Sequence, residues 1–203
     1  DTQLTNSPNF TGAELVIYKS NWILDRSVIS NHTNSTVTYT SGSSYNPDGT
    51  GGSKYFFQKD IDCLTQMGDW FCDGTDFYMY FGANTPSSYV VKAGASSTTI
   101  TASKSYNILD NLEIQGGNSY AIYSTLTNGL TLNKCDIKNA GRFGFSISSS
   151  TTTTVDSCTF SNINGTGASI ISATSKVSYC TFDKCGQFPG MGDSGGSSFM
   201  GLN

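Results

Sequence analysis

The sequence predicts an all-β chain wound as a solenoid, and three observations carry the prediction. A hexapeptide pattern recurs at a nearly constant interval, charged residues are scarce, and glycine and asparagine fall at fixed places between the copies. The copies are Leu109-Asp-Asn-Leu-Glu-Ile114, Leu132-Asn-Lys-Cys-Asp-Ile137, Val155-Asp-Ser-Cys-Thr-Phe160 and Val177-Ser-Tyr-Cys-Thr-Phe182, spaced 23, 23 and 22 residues apart. Leu24-Asp-Arg-Ser-Val-Ile29 fits the same template and reads as an earlier copy. A fixed period of this size marks a repeat architecture.

Each copy is followed by a second strand-like stretch: Tyr120 to Ser124, Phe143 to Ser148, Ala168 to Ser172 and Ser198 to Leu202. One repeat then makes one coil of short strands, and coils stack about 4.8 Å apart with side chains in columns. One inward column is Ser27, Leu112, Cys135, Cys158 and Cys180, and another is Ile29, Ile114, Ile137, Phe160 and Phe182. Asn31, Asn139 and Asn162 lie just beyond, and Gly116, Gly141 and Gly165 mark turns that need unusual backbone angles. The fold read from these coils is a right-handed parallel β-helix of about five partial coils, one domain over 1–203. Its regular coils occupy 99–203. Residues 37–92 break the period and are expected as an excursion, with a β-hairpin formed by Gly68–Cys72 and Phe77–Phe81. No capping element follows Gly201, so further coils of the same chain, or a partner, are expected at that end.

Composition narrows the function classes. Charged residues are 13% of the chain and the net charge is −4, with eleven basic residues. That gives no field for holding nucleic acid. No apolar run is long enough for a membrane span. The uncharged polar composition and the sequons at Asn9, Asn31, Asn34 and Asn164 point to an extracellular, secreted or cell-surface protein.

The Lys19–Arg26 segment, the Gly-Asp-Trp-Phe and Phe-Tyr-Met-Tyr hairpin and the later coils resemble right-handed parallel β-helix repeat proteins. More narrowly they resemble the secreted, carbohydrate-associated ones of Bacteroidetes-type bacteria. The resemblance covers nearly all of the chain and implies a polysaccharide or cell-surface glycan as partner. It does not choose among lyases, glycoside hydrolases and adhesins. It leads one to expect an aromatic residue where Cys72 stands. Cys63 and Cys72 flank the start of the hairpin, and a disulfide between them is expected, with free thiols as the alternative. Cys135, Cys158 and Cys180 read as buried thiols of one core column, and no metal-ligand spacing occurs among the cysteines and the single histidine.

Candidate chemistry lies on outward positions. Stacking is expected to gather Asp110, Glu113, Lys134, Asp136 and Asp156 in one patch, with Arg142 nearby. Two carboxyls one or two coil steps apart suit glycoside hydrolysis. A lyase would take its base from Lys134, Lys138 or Arg142 and hold Ca²⁺ on the carboxylates. The same charges also serve simply to keep an outward face soluble. Trp22, Trp70, Tyr78 and Tyr80 are the candidate sugar-binding aromatics, against the alternative that the hairpin rings form a small core. Gly192-Asp-Ser-Gly-Gly196 spells a serine-protease nucleophile motif without the histidine arrangement that chemistry needs. Thr-rich stretches at 98–101 and 151–154 do not keep the column an ice-binding face requires. Three functions follow: a carbohydrate-contacting module of a polysaccharide-processing protein, a structural or adhesive stalk, and a small lyase or hydrolase.

Overall fold

The computed structural model describes residues 4–20, 23–47, 54–125, 127–186 and 201–202. The chain divides into two compact units, 1–91 and 92–203.

The first unit holds six strands: β1 (Glu14–Ser20), β2 (Ile23–Thr33), β3 (Thr36–Tyr39), β4 (Lys54–Gln58), β5 (Trp70–Cys72) and β6 (Phe77–Met79). The first four form an antiparallel sheet in the order β3-β2-β1-β4. Strand alternation sends Leu15 and Ile17 to the face that Ile29, Val37, Tyr39, Tyr55 and Phe57 also share, and these make the unit's core. On the other face Glu14 takes Arg26 at 2.8 Å and Lys59 at 3.4 Å. His32 is buried and bonded at both ring nitrogens, accepting from the Phe10 N–H at Nδ1 and facing the Asn34 carbonyl at Nε2.

This arrangement corrects the first copy of the repeat. Leu24–Ile29 belongs to β2 and pairs antiparallel with β1, Leu15 opposite Ser27. Only residues 21 and 22 separate the two strands, and so short a link joins antiparallel neighbours, whereas a parallel pair needs a crossover of a dozen residues or more. Ser27, Ile29, Asn31, Asp25 and Arg26 therefore stand outside the coil columns. The 37–92 segment contributes β3 and β4 to this sheet, and the expected hairpin is present as β5 and β6.

The second unit is a parallel β-helix of about four turns. Its strands are β7 (Thr98–Ala102), β8 (Ile108–Asp110), β9 (Glu113–Gln115), β10 (Tyr120–Thr125), β11 (Leu130–Asn133), β12 (Asp136–Lys138), β13 (Phe143–Asp156), β14 (Thr159–Ile163), β15 (Thr166–Ser178), β16 (Thr181–Cys185) and β17 (Gly201–Leu202). One sheet runs β17-β15-β13-β10-β7, with β11 pairing β13 and β8, and a second runs β16-β14-β12-β9. The register keeps the repeat spacing: Ile114, Ile137, Phe160 and Phe182 are successive partners, as are Leu109, Leu132, Val155 and Val177.

A single residue in the left-handed region turns the chain between the two sheets in each coil: Asn111, Lys134, Ser157 and Tyr179, with φ of 54°, 50°, 52° and 53°. Asn139, Asn162 and Lys184 form a second such row. Asparagine suits this conformation; lysine, serine and tyrosine enter it at a cost that coil stacking must offset. Backbone bonds across coils hold the corners, Asn111 N to Asn133 O at 2.9 Å and Lys134 N to Asp156 O at 3.0 Å.

Two further expectations change. Leu112, which follows the left-handed corner at Asn111 and precedes β9, is 42% exposed and leaves the buried column. The Cys63–Cys72 disulfide is absent and all six cysteines are free. Cys63 lies in a 3-10 turn (Ile61–Cys63), whereas Cys72 sits on the exposed side of β5 opposite Phe77. Cys135 and Cys158 are buried, Cys180 and Cys185 half-buried.

Candidate functional site

The corner at residue 134 divides the expected charged patch into two rows on two sheets. On the first, Asp110, Asn133, Asp156 and Ser178 follow one another across coils. Asn133 Nδ2 donates to Asp110 Oδ1 at 2.6 Å, Ser178 Oγ donates to Asp156 Oδ1, and Ser157 Oγ donates to Asp156 Oδ2 at 3.1 Å. On the second, Glu113 and Asp136 are direct partners, and Lys138 Nζ clamps both at 3.0 Å. Lys134 stands on the corner between them. Arg142 is elsewhere, its guanidinium over the Phe143 ring at 5.0 Å.

Two groups of these rows, Asp156 and Lys138, have displaced protonation equilibria. The hydrogen bond from Ser178, then the one from Ser157, hold the Asp156 carboxyl below its usual value. Hydrogen bonds to Asp136 and Glu113 push the Lys138 ammonium up. A general acid needs a raised carboxyl and a lysine base a lowered ammonium. Both shifts favour the charged forms, as in an ion-paired surface.

The aromatic candidates are arranged differently. Trp22 lies outside the described residues. In the hairpin, β5 and β6 pair Trp70 with Met79, Phe71 with Tyr78 and Cys72 with Phe77. Alternation places Trp70 and Phe77 on one face and Phe71 and Tyr78 on the other. Trp70 is 61% and Phe77 46% exposed, with ring centroids 5.4 Å apart. Tyr78 is half-buried and stacks on Phe71 at 4.8 Å. Tyr80, one residue past β6, is exposed. The turn is built by Asp73, whose Oδ1 accepts from the Thr75 and Asp76 N–H groups at 2.8 Å each. Those backbone bonds hold its carboxyl below the usual range. The aromatic pair is thus displayed on a pinned turn.

A second aromatic group escaped the sequence reading. Tyr120 of β10 and Phe143 of β13 are register partners with rings 5.3 Å apart and 8° from parallel. Tyr123 packs on Tyr120 at 4.7 Å, and Arg142 covers Phe143. Thr98, Thr101, Ser146, Thr166 and Ser169 are their register neighbours across the sheet. The signal was present: Tyr120 and Phe143 are 23 residues apart, one repeat period.

Among the described residues no group of three or more His, Cys, Asp or Glu side chains is placed to hold a metal ion. With the coils, corners and aromatic faces in place, the sequence profile of the right-handed β-helix region family matches residues 72–200. The chain belongs to this family. No curated protein and no solved structure matches the chain. The right-handed β-helix match also spans Gly192–Gly196, which lies outside the described residues. Family membership fixes the coil architecture and leaves the chemistry to the outward side chains.

Proposed function

We propose that this chain is a carbohydrate-contacting β-helix module of a secreted or cell-surface polysaccharide-processing protein, and that it binds its glycan without cleaving it. The observation that carries the reading is the exposed pair Trp70 and Phe77 on the pinned hairpin. The C–H face of a pyranose ring packs on such a ring, whose own amphipathic character suits a wet surface.

Magnitudes select a polymer. Covering roughly 100 Å² of apolar ring surface contributes about 2.5 kcal/mol. A millimolar complex already needs about 4 kcal/mol. One ring is therefore insufficient, and useful affinity requires several sugar units engaging several contacts along one chain. Within the second unit, Tyr120 and Tyr123, half-buried and flanked by hydroxyl side chains, form a separate aromatic surface of their own. The Glu113, Asp136 and Lys138 row serves as a solvated, ion-paired face, and the Asp110 and Asp156 row as a hydrogen-bonded one.

The test is a panel of polysaccharides and their oligomers, with and without Ca²⁺, followed for binding and for new reducing ends or unsaturated products. The proposal expects binding that strengthens with chain length and no products. Cleavage would replace it with the enzyme reading, and silence on every glycan would favour the stalk.

A further inference from the structure

The first unit buries a charged pair that the glycan reading does not use. Lys19 Nζ lies 2.5 Å from Asp25 Oδ2, and the two side chains are 1% and 8% exposed. Strand register explains the approach. Asp25 pairs with Ile17, and the register shifts between Tyr18 and Ser20, so Lys19 leaves the ladder at a bulge beside Asp25. Two serines complete the surroundings. Lys19 Nζ donates to Ser41 Oγ at 2.5 Å, Ser41 Oγ donates to the Ser43 carbonyl at 2.5 Å, and Ser43 Oγ donates to Asp25 Oδ2 at 2.8 Å. The Tyr39 ring stands 5.8 Å from the ammonium.

We propose that Lys19 and Asp25 condense to form an intramolecular isopeptide bond. In a poorly solvated site the charged pair is costly, and transfer of one proton from ammonium to carboxylate gives a neutral amine and a neutral acid. The freed lone pair on Nζ attacks Asp25 Cγ, and the carbonyl π electrons move onto oxygen. Collapse of this adduct restores the carbonyl and expels the hydroxyl. The hydroxyl takes a proton from Nζ through the Ser41 hydroxyl and leaves as water. One C–N bond forms, one C–O bond breaks, and no oxidant, reductant or other co-reactant is needed.

Three features favour the step. The reactants are held in contact, where intramolecular reactions reach effective molarities of about 10⁵–10⁸ M. The Ser43 hydroxyl polarises the carboxyl group under attack. The product is an uncharged amide, which ends the cost of two buried charges. The cross-link closes residues 19–25 into a ring, so the turn end of the β1–β2 pair stays joined when the strands transiently open.

The experiment is intact-mass measurement of the full chain under denaturing conditions, followed by tryptic mapping. The expected mass is one water below that of the sequence, with Lys19 uncleaved and residues 1–26 released as a single peptide that itself lacks one water. Lys19→Ala and Asp25→Ala chains, whether or not they fold, return to full mass. Ser41→Ala keeps both reactants and shows a larger uncondensed fraction. The full sequence mass in the native chain overturns the proposal. So does a lost water that maps to Asp48-Gly49 or Asp73-Gly74, where aspartate cyclises onto its own backbone, because that loss survives Lys19→Ala.

Discussion

Phe160 and Phe182 stack across one coil step with ring centroids 4.8 Å apart and planes 4° from parallel. Phe160 is fully buried, between Ile137 and Phe182 in its column. Phe160→Ala opens a cavity that neighbouring coils close poorly, and an expected loss of about 3–5 kcal/mol follows. Phe182, half-buried on the edge strand β16, loses less on the same change. Denaturant unfolding of the two variants checks both the size and the order.

The coils demand a missing side chain at several places, among them Gly144 and Gly167. A Cβ added at Gly167 would lie 2.8 Å from Phe182 Cδ1 and 2.9 Å from Cys185 Sγ, and one at Gly144 only 2.5 Å from the Gly167 carbonyl. Both φ angles are ordinary, so the restriction is packing alone. Gly167→Ala is expected to cost about 1–3 kcal/mol as an overpacked site. Gly144→Ala costs more, since a backbone carbonyl yields less than a ring edge. Thermal unfolding of the pair decides the ranking.

These columns were legible in the sequence because coil stacking turns a spatial neighbour into a residue 22 or 23 positions away. Ile114, Ile137, Phe160 and Phe182 could be aligned without coordinates for that reason. Leu24–Ile29 misled, since one hexapeptide matches any strand with apolar ends and only its short link to β1 reveals antiparallel pairing. The charged patch failed for a subtler reason. Lys134 and Ser157 are ordinary residues in left-handed corners, and no composition signal announces that Asp110 and Glu113 face different ways. Tyr120 and Phe143 were readable as neighbours from their spacing of one period. Their ring stacking depends on the outward face of β10 and β13, which spacing alone does not give.

Thiol reactivity separates the free-cysteine structure from the disulfide expectation. Burial pushes the Cys158 thiol up to about 12, and burial with the Asp60 charge pushes Cys63 up to about 11. Such thiols stay protonated and unreactive at neutral pH. Cys72 is exposed. A thiol reagent near neutral pH is expected to modify Cys72 quickly in the native chain and all six thiols in denaturant. Only four reactive thiols in denaturant, with 63 and 72 protected, would restore the disulfide.

Glu14 supplies a pH signature. Burial pushes its carboxyl up, but hydrogen bonds from Arg26 and Gln58 and the charges of Arg26 and Lys59 outweigh this and hold it below its usual 4.5. A carboxyl depressed by folding contributes stability that is complete above the unfolded value and lost as pH falls through the folded one. Glu14→Gln is therefore expected to cost about 1.5–3 kcal/mol at neutral pH. That gap should close as the pH falls below 4.5. Unfolding of both chains across that window shows whether the curves converge.

The most direct test of the central claim is affinity electrophoresis of the native chain and a Trp70→Ala/Phe77→Ala chain through gels carrying the polysaccharide that the panel selects. Both rings are exposed, so the double variant keeps its fold, as circular dichroism can verify. The account predicts retardation of the native chain and at least about a tenfold weaker interaction in the variant, equivalent to about 1.4 kcal/mol. Equal retardation of the two chains, or shortening of the polysaccharide by either one, would contradict it.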